Sequence, residues 1–151
     1  MKAVLPAAMQ RAFAEARQAA TRAEVPVGAV ITDAAGTIVA AAGNRTIEHH
    51  DPTAHAEILA IRSACAHVQT ERLNGCIIYV TLEPCAMCAA AISFARLKRV
   101  VYALDDPKMG AVENGPRFFH QATCHHRPEV ISGIGESEAQ SLLRDFFAGK
   151  R

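Results

Sequence analysis

Two short clusters in this sequence hold side chains that bind metals and move protons: His55-Ala56-Glu57 and Pro84-Cys85-Ala86-Met87-Cys88. Two thiols and an imidazole form a donor set for a soft-to-borderline cation, and zinc fits it best. Proline suits the first turn of a helix and disfavours a helical residue before it, so a helix is predicted to open at Pro84. Cys85 and Cys88 then share one face of its first turn. There the positive end of the helix dipole favours thiolates. His55 and Glu57 are two residues apart, which mid-helix would send them to nearly opposite sides. At a helix start both can meet a ligand sitting off the end. The spacing thus predicts one zinc per chain, held by His55, Cys85 and Cys88. Three protein ligands leave a fourth position for water, as in catalytic rather than structural sites. Glu57 is then the acid/base carboxylate beside that water.

Other readings compete. A C-x-x-C pair can be redox-active, although that use wants neither a histidine partner nor an H-x-E motif. A closed structural site could recruit a fourth ligand from His120, Cys124, His125 or His126. A zinc-stabilised binding module without catalysis is a third reading, and Glu57 argues against it. The remaining cysteines, Cys65, Cys76 and Cys124, are scattered and read as core filler.

The elements that must position these clusters alternate between helix and strand, which predicts an α/β domain. A first helix is expected over Pro6–Arg22, with Met9, Phe13, Ala16 and Ala20 on one stripe. Val27–Thr32 and Thr37–Ala42 read as a hairpin turning at Asp33-Ala34-Ala35-Gly36. After a polar loop over Gly43–Pro52, a second helix is expected to begin near Asp51-Pro52-Thr53 and to run past Ile58, Ile61 and Cys65. Cys76–Leu82 reads as a buried strand, Pro84 to about Arg96 as an alanine-rich helix, and Arg99–Leu104 as a strand. Asp105–Pro128 is long for a compact domain, a length that is usually functional or mobile. Glu129–Ser132 and Glu136–Phe147 read as a last strand and an amphipathic helix.

Length and composition bound the function. The 151 residues fit one domain, taken as residues 1–151, and half are hydrophobic. Sixteen basic against fifteen acidic residues give a net charge of +1, which excludes holding nucleic acid by bulk charge alone. A local basic rim could still draw on Arg45, Arg96, Lys98, Arg99, Lys108, Arg117, Arg127, Arg144, Lys150 and Arg151, most of which read as solvated surface. No apolar run approaches the roughly 20 residues of a membrane span, so no membrane partner is expected. The first ten residues lack a long apolar core, so no secretory signal is read and the expected location is cytoplasmic.

H-x-E followed by P-C-x-x-C is the signature of the zinc deaminases. The likeness extends to Glu24-Val25-Pro26-Val27-Gly28-Ala29-Val30, Gly43-Asn44-Arg45, Asp51–Ile58 and Tyr79–Cys88. On these residues the chain resembles the bacterial tRNA-specific adenosine deaminases, within the cytidine/deoxycytidylate deaminase zinc-binding family. The resemblance implies a three-layer α/β/α sandwich around a mixed five-stranded sheet, a cytidine-deaminase-like fold. It also implies a homodimer, and conversion of adenosine to inosine at the first anticodon position of a tRNA. By the same motifs Asn44 would contact the flipped nucleotide, and Asp106 would lie near the substrate sugar. Related deaminases act on free guanine, cytosine, cytidine or deoxycytidylate, so a free base or nucleoside is the alternative substrate.

Overall fold

The central strands are apolar on both faces, so helices must cover both sides of the sheet. The computed structural model describes residues 4–150, so Arg151 and residues 1–3 lie outside the described part. The order is α1 (Ala7–Thr21), β1 (Gly28–Thr32), β2 (Ile38–Gly43), α2 (Ala56–Val68), β3 (Ile77–Leu82), α3 (Ala86–Phe94), β4 (Arg99–Leu104), β5 (Glu129–Ile131) and α4 (Glu136–Ala148). The five strands form one mixed sheet in the order β2-β1-β3-β4-β5. β1 runs antiparallel to β2 and β3, while β3-β4 and β4-β5 are parallel.

Alternation along each strand divides the core into two layers. Ala29, Ile31, Ile78, Val80, Val100 and Tyr102 face α2 and α3, where Ala60, Ala64, Ala89 and Ile92 cover them. Val30, Val101 and Ala103 face the opposite way, onto Met9 and Phe13 of α1 and Ala139 of α4. The three-layer expectation thus holds. The hairpin holds as well: Asp33 Oδ1 accepts from the amides of Ala35 and Thr37, each at 2.9 Å, and Gly36 supplies the left-handed backbone (φ 87°). Among the described residues, no helix is long and apolar enough to cross a membrane.

Two helix starts differ from expectation. α2 begins at Ala56 rather than near Asp51, because Asp51 Oδ1 holds a tight turn by accepting from the Thr53 amide and hydroxyl at 2.8 and 2.7 Å. α3 begins at Ala86, leaving Cys85 extended at its cap. The 105–128 segment contains only a short 3-10 turn over Phe118–His120. Phe119 is in the core and Phe118 packs against it, so neither is a free stacking platform. Cys76 and Cys124 are buried, Cys65 is partly so, and all three are free thiols, as filler should be.

α1 lies so close on β1 that a Cβ at Gly28 would stand 1.9 Å from the Ala12 carbonyl oxygen and 2.7 Å from the Ala16 nitrogen. Both obstacles are backbone and cannot rotate away. Gly28→Ala is therefore expected to cost about 3 kcal/mol, the upper end for overpacking. Urea unfolding measures it as a lower midpoint at unchanged slope. A loss below roughly 0.5 kcal/mol would show that α1 lifts freely from the sheet.

Candidate active site

The clusters meet because two helices start side by side on one face of the sheet. His55 occupies the cap position of α2 in extended conformation (φ −73°, ψ 152°), with Glu57 in the first turn. That start is fixed from a distance. Asn44, just past β2, accepts the Ala56 amide on Oδ1 at 2.8 Å and donates its Nδ2 to the Val25 carbonyl at 3.1 Å. A side chain remote in sequence thus satisfies an amide that the helix start leaves orphaned. Cys85 caps α3 in extended form (φ −73°, ψ 177°), and Cys88 lies in the first turn. His55 Nδ1 lies 3.7 Å from Cys85 Sγ and 3.6 Å from Cys88 Sγ.

These spacings fit zinc. Bonds of about 2.3 Å to sulfur and 2.0–2.1 Å to nitrogen in a tetrahedron set the nitrogen–sulfur edges at roughly 3.5–3.6 Å. The three ligand atoms all lie within 4.8 Å of one another, and among the described residues no fourth histidine, cysteine or carboxylate joins them. A closed structural site through Cys124 or His126 is not what forms. Cys124 Sγ rests 3.5 Å from Ser93 Oγ and 3.2 Å from the His126 carbonyl, and the His126 ring bonds to the Leu97 carbonyl at 2.6 Å.

The electrostatics suit a thiolate-rich metal centre. The hydrogen bond from Cys88 and the imidazole of His55 hold the Cys85 thiol down at about 4, against burial. Cys88, which donates that bond and is buried, is pushed up instead. The Cys85 hydrogen bond raises His55, against the burial that opposes it. Glu57 is only 4% exposed. Burial lifts its carboxyl to about 7, with the Cys85 charge adding to the rise. A carboxyl in that range can both take and return a proton near neutral pH.

A cavity of about 220 Å³ opens on this cluster, lined among others by Asn44, His55, Glu57, Cys85 and Asp106, with Val25, Val27 and Met109 as apolar wall. Both substrate-contact expectations, Asn44 and Asp106, therefore fall on the pocket. Of the basic residues, Arg45 pairs with Glu48, and Arg99 pairs with Glu129 at 2.8 Å, so neither is a free cation. Sequence reasoning missed two buried carboxylates behind the pocket. Glu24 accepts from the amides of Ile47 (3.2 Å) and Glu48 (2.9 Å) and from the Thr46 hydroxyl (3.3 Å), clamping the turn that follows Asn44. Burial raises Glu24, but these donors and Arg22 outweigh it and hold the carboxyl below its ordinary value. Glu83 behaves alike: burial is outweighed by the Asp106, Val112 and Glu113 amides and the Asn114 side chain. The only sequence signal for it was an acid wedged between an apolar strand and a proline.

Known proteins agree with this site. The profile of the cytidine and deoxycytidylate deaminase zinc-binding region matches residues 4–104. A tRNA-specific adenosine deaminase from Agrobacterium fabrum is 58% identical over 143 residues, covering 95% of this chain and 93% of its own. A solved structure from work on A-to-I editing by tRNA:A34 deaminases at the wobble position superposes with a TM-score of 0.88 at 57% identity, covering 90% of this chain and 98% of the other. A guanine deaminase from Bacillus subtilis is more distant, with a TM-score of 0.62 at 41% identity over 65% of this chain and 62% of its own. With its mixed five-stranded sheet and its two helix starts around a three-donor centre, this chain belongs to the cytidine and deoxycytidylate deaminase zinc-binding family. Its metal is zinc.

Metal analysis of the purified protein should return about one zinc per chain. Cys88→Ser should lose most of it, since a hydroxyl replaces a thiolate. Cys124→Ser, away from the cluster, should keep it. Full zinc in Cys88→Ser would remove Cys88 from the ligand set.

Proposed function

We propose that this chain deaminates adenosine to inosine at the first anticodon position of a tRNA, as a single hydrolytic deaminase domain over residues 1–151. The observation that carries the substrate is the 58% identity to a tRNA-specific adenosine deaminase across 95% of the chain. The pocket supports it. Its volume of about 220 Å³ is below the roughly 300–1,000 Å³ of sites that enclose a drug-sized ligand. One ring system fits inside, and the rest of a polynucleotide stays outside. An anticodon adenosine is unpaired and can be turned out of its loop at small cost.

His55, Cys85 and Cys88 hold the zinc. When bound, it supplies Lewis acidity that brings a coordinated water to ionise near neutral pH. Glu57 does the proton work. It takes a proton from the attacking water and passes it to the ring nitrogen beside C6. The water oxygen bonds to C6, Glu57 moves the remaining hydroxyl proton to the amino group, the C6–N bond breaks, and ammonia leaves a C6 carbonyl. One carboxylate serves both steps because both happen on one face of the ring. Asn44, tied to the start of α2, and Asp106 both line the pocket, which supports their roles as contacts to the nucleotide and its sugar.

The working unit we propose is a homodimer. α3 is apolar all round, which suits a helix covered on every side. Ala89 and Ala95 do face the core, but Ala86 and Phe94 are exposed and Ala90 is half-covered, with Phe94 75% exposed. Light scattering at micromolar concentration should give twice the 16.2 kDa of one chain. A monomer would overturn the proposal. We place the enzyme in the cytoplasm, where tRNA is processed and where five cysteines outside any disulfide would stay reduced.

An anticodon stem-loop with adenosine at the first position should yield inosine, and its binding should weaken as salt rises, with a log–log slope of about −0.7 per phosphate contact. Glu57→Gln should keep zinc yet lose at least about 10⁴-fold in rate, the upper end for an acid/base group. Rapid turnover of free guanine or cytidine, with none of the stem-loop, would transfer the chain to the free-base reading.

A further inference from the structure

Glu83 is a carboxylate in the wall of the reaction pocket, 3% exposed, and among the described residues no cation forms an ion pair with it. A second carboxylate near Glu57 invites a second acid/base role. Its hydrogen bonds argue otherwise. Oε1 accepts from the Asp106 amide at 2.9 Å and from Asn114 Nδ2 at 2.6 Å. Oε2 accepts from the amides of Val112, Glu113 and Asn114 at 3.0, 2.9 and 3.1 Å. A carboxylate has about four lone-pair sites, and five donors leave none for a substrate or a proton in flight.

All five donors come from one segment, residues 106–114, which has no helix or strand of its own. That segment carries Asp106 and Met109 to the pocket. It is also strapped to the start of α3: Gly110 bridges Cys85 in antiparallel fashion, and the Ala111 amide donates to the Pro84 carbonyl at 2.9 Å. The fit at Gly110 is tight, since a Cβ there would stand 2.4 Å from Glu83 Cδ and 2.5 Å from the Asp106 carbonyl oxygen.

We propose that Glu83 is a positioning residue that sets the distance between the substrate-facing wall, Asp106 and Met109, and the zinc-ligand helix. It gathers the wall by its backbone and acts on substrate only through it. The amides converge on two oxygens, so the anion is the one acceptor that satisfies all of them. A glutamine of the same shape would turn an NH₂ toward two or three N–H groups, leaving donors facing donors. The zinc ligands stay in place, because His55 and Cys88 are held by their own helices. Loss of Glu83 therefore releases the wall and spares the chemistry.

The proposal rests on the pocket taking the anticodon adenosine, and the experiment separates the two. Wild type, Glu83→Gln and the milder Asn114→Ala are compared for zinc content, for stem-loop kinetics and for hydrogen exchange in the 105–116 peptide. Expected is full zinc in all three, with exchange in that peptide faster in the variants. KM for the stem-loop should rise about tenfold or more in Glu83→Gln and less in Asn114→Ala, while kcat falls less than about threefold, as misplacement of a binding wall predicts. If Glu83→Gln cannot be purified folded, Asn114→Ala carries the test alone. Unchanged exchange and KM in the folded variants overturn the proposal. So does a fall in kcat at constant KM, which would mark Glu83 as chemical rather than positioning. If wild type turns over no stem-loop, the substrate reading fails, and the exchange measurement alone decides the strap.

Discussion

Everything at this site follows from holding one imidazole nitrogen and two thiol sulfurs within one coordination sphere. The gap of 3.6–3.7 Å between His55 Nδ1 and each sulfur must be met by residues 30 and 33 positions apart in the chain. The chain meets it by starting two helices beside one another, with a ligand at each cap position and Cys88 one turn in. Parallel pairing of β3 and β4 makes this possible, because α3 is the crossover between them and the chain enters it directly from the C-terminal end of β3. The antiparallel β1-β2 hairpin, closing the sheet on the other side of β3, delivers Asn44 to the start of α2.

Two buried carboxylates solve a related problem. Loops that line a pocket have amides with no ladder to join, and buried amides need acceptors. Glu24 gathers those that follow Asn44, and Glu83 those that follow β4. Burying a charge is costly unless donors converge on it. Here the donors outweigh burial, because both carboxyls remain below their ordinary range. Glu57, buried without such a set of amides, moves the other way, to about 7. The same residue type near one pocket is thus an anchor twice and, in the proposed reaction, a proton carrier once, and the converging N–H groups separate the two cases.

The sequence revealed what is local and hid what is remote. The meeting of His55, Cys85 and Cys88 beside Glu57, and the strands, were legible because spacing, a proline and alternation are local signals. The start of α2 was misplaced by several residues, since Asp51 and Thr53 look like a helix cap and instead close a turn, while the acceptor for Ala56 comes from Asn44. The 105–128 segment was readable as important by its length, not as ordered. Its anchor lies upstream in Glu83, and nothing in the spelling of the segment points there.

This division has a consequence for specificity. The stretch matched to the family, residues 4–104, contains His55, Glu57, Cys85 and Cys88. Asp106 and Met109, which also line the pocket, come after it. Chemistry common to deaminases of different bases asks only for a ring carbon over the metal and a carboxylate beside it. In the proposed reaction, which ring enters depends on the rest of the lining: Val25, Val27 and Asn44 on one segment, Asp106 and Met109 on another. A wall on a segment without regular structure can take a different shape without disturbing the sheet, provided that its amides still find an acceptor. Glu83 lies inside the matched stretch and accepts hydrogen bonds from residues 106–114 beyond it, so it ties the zinc-binding region to the segment that completes the pocket.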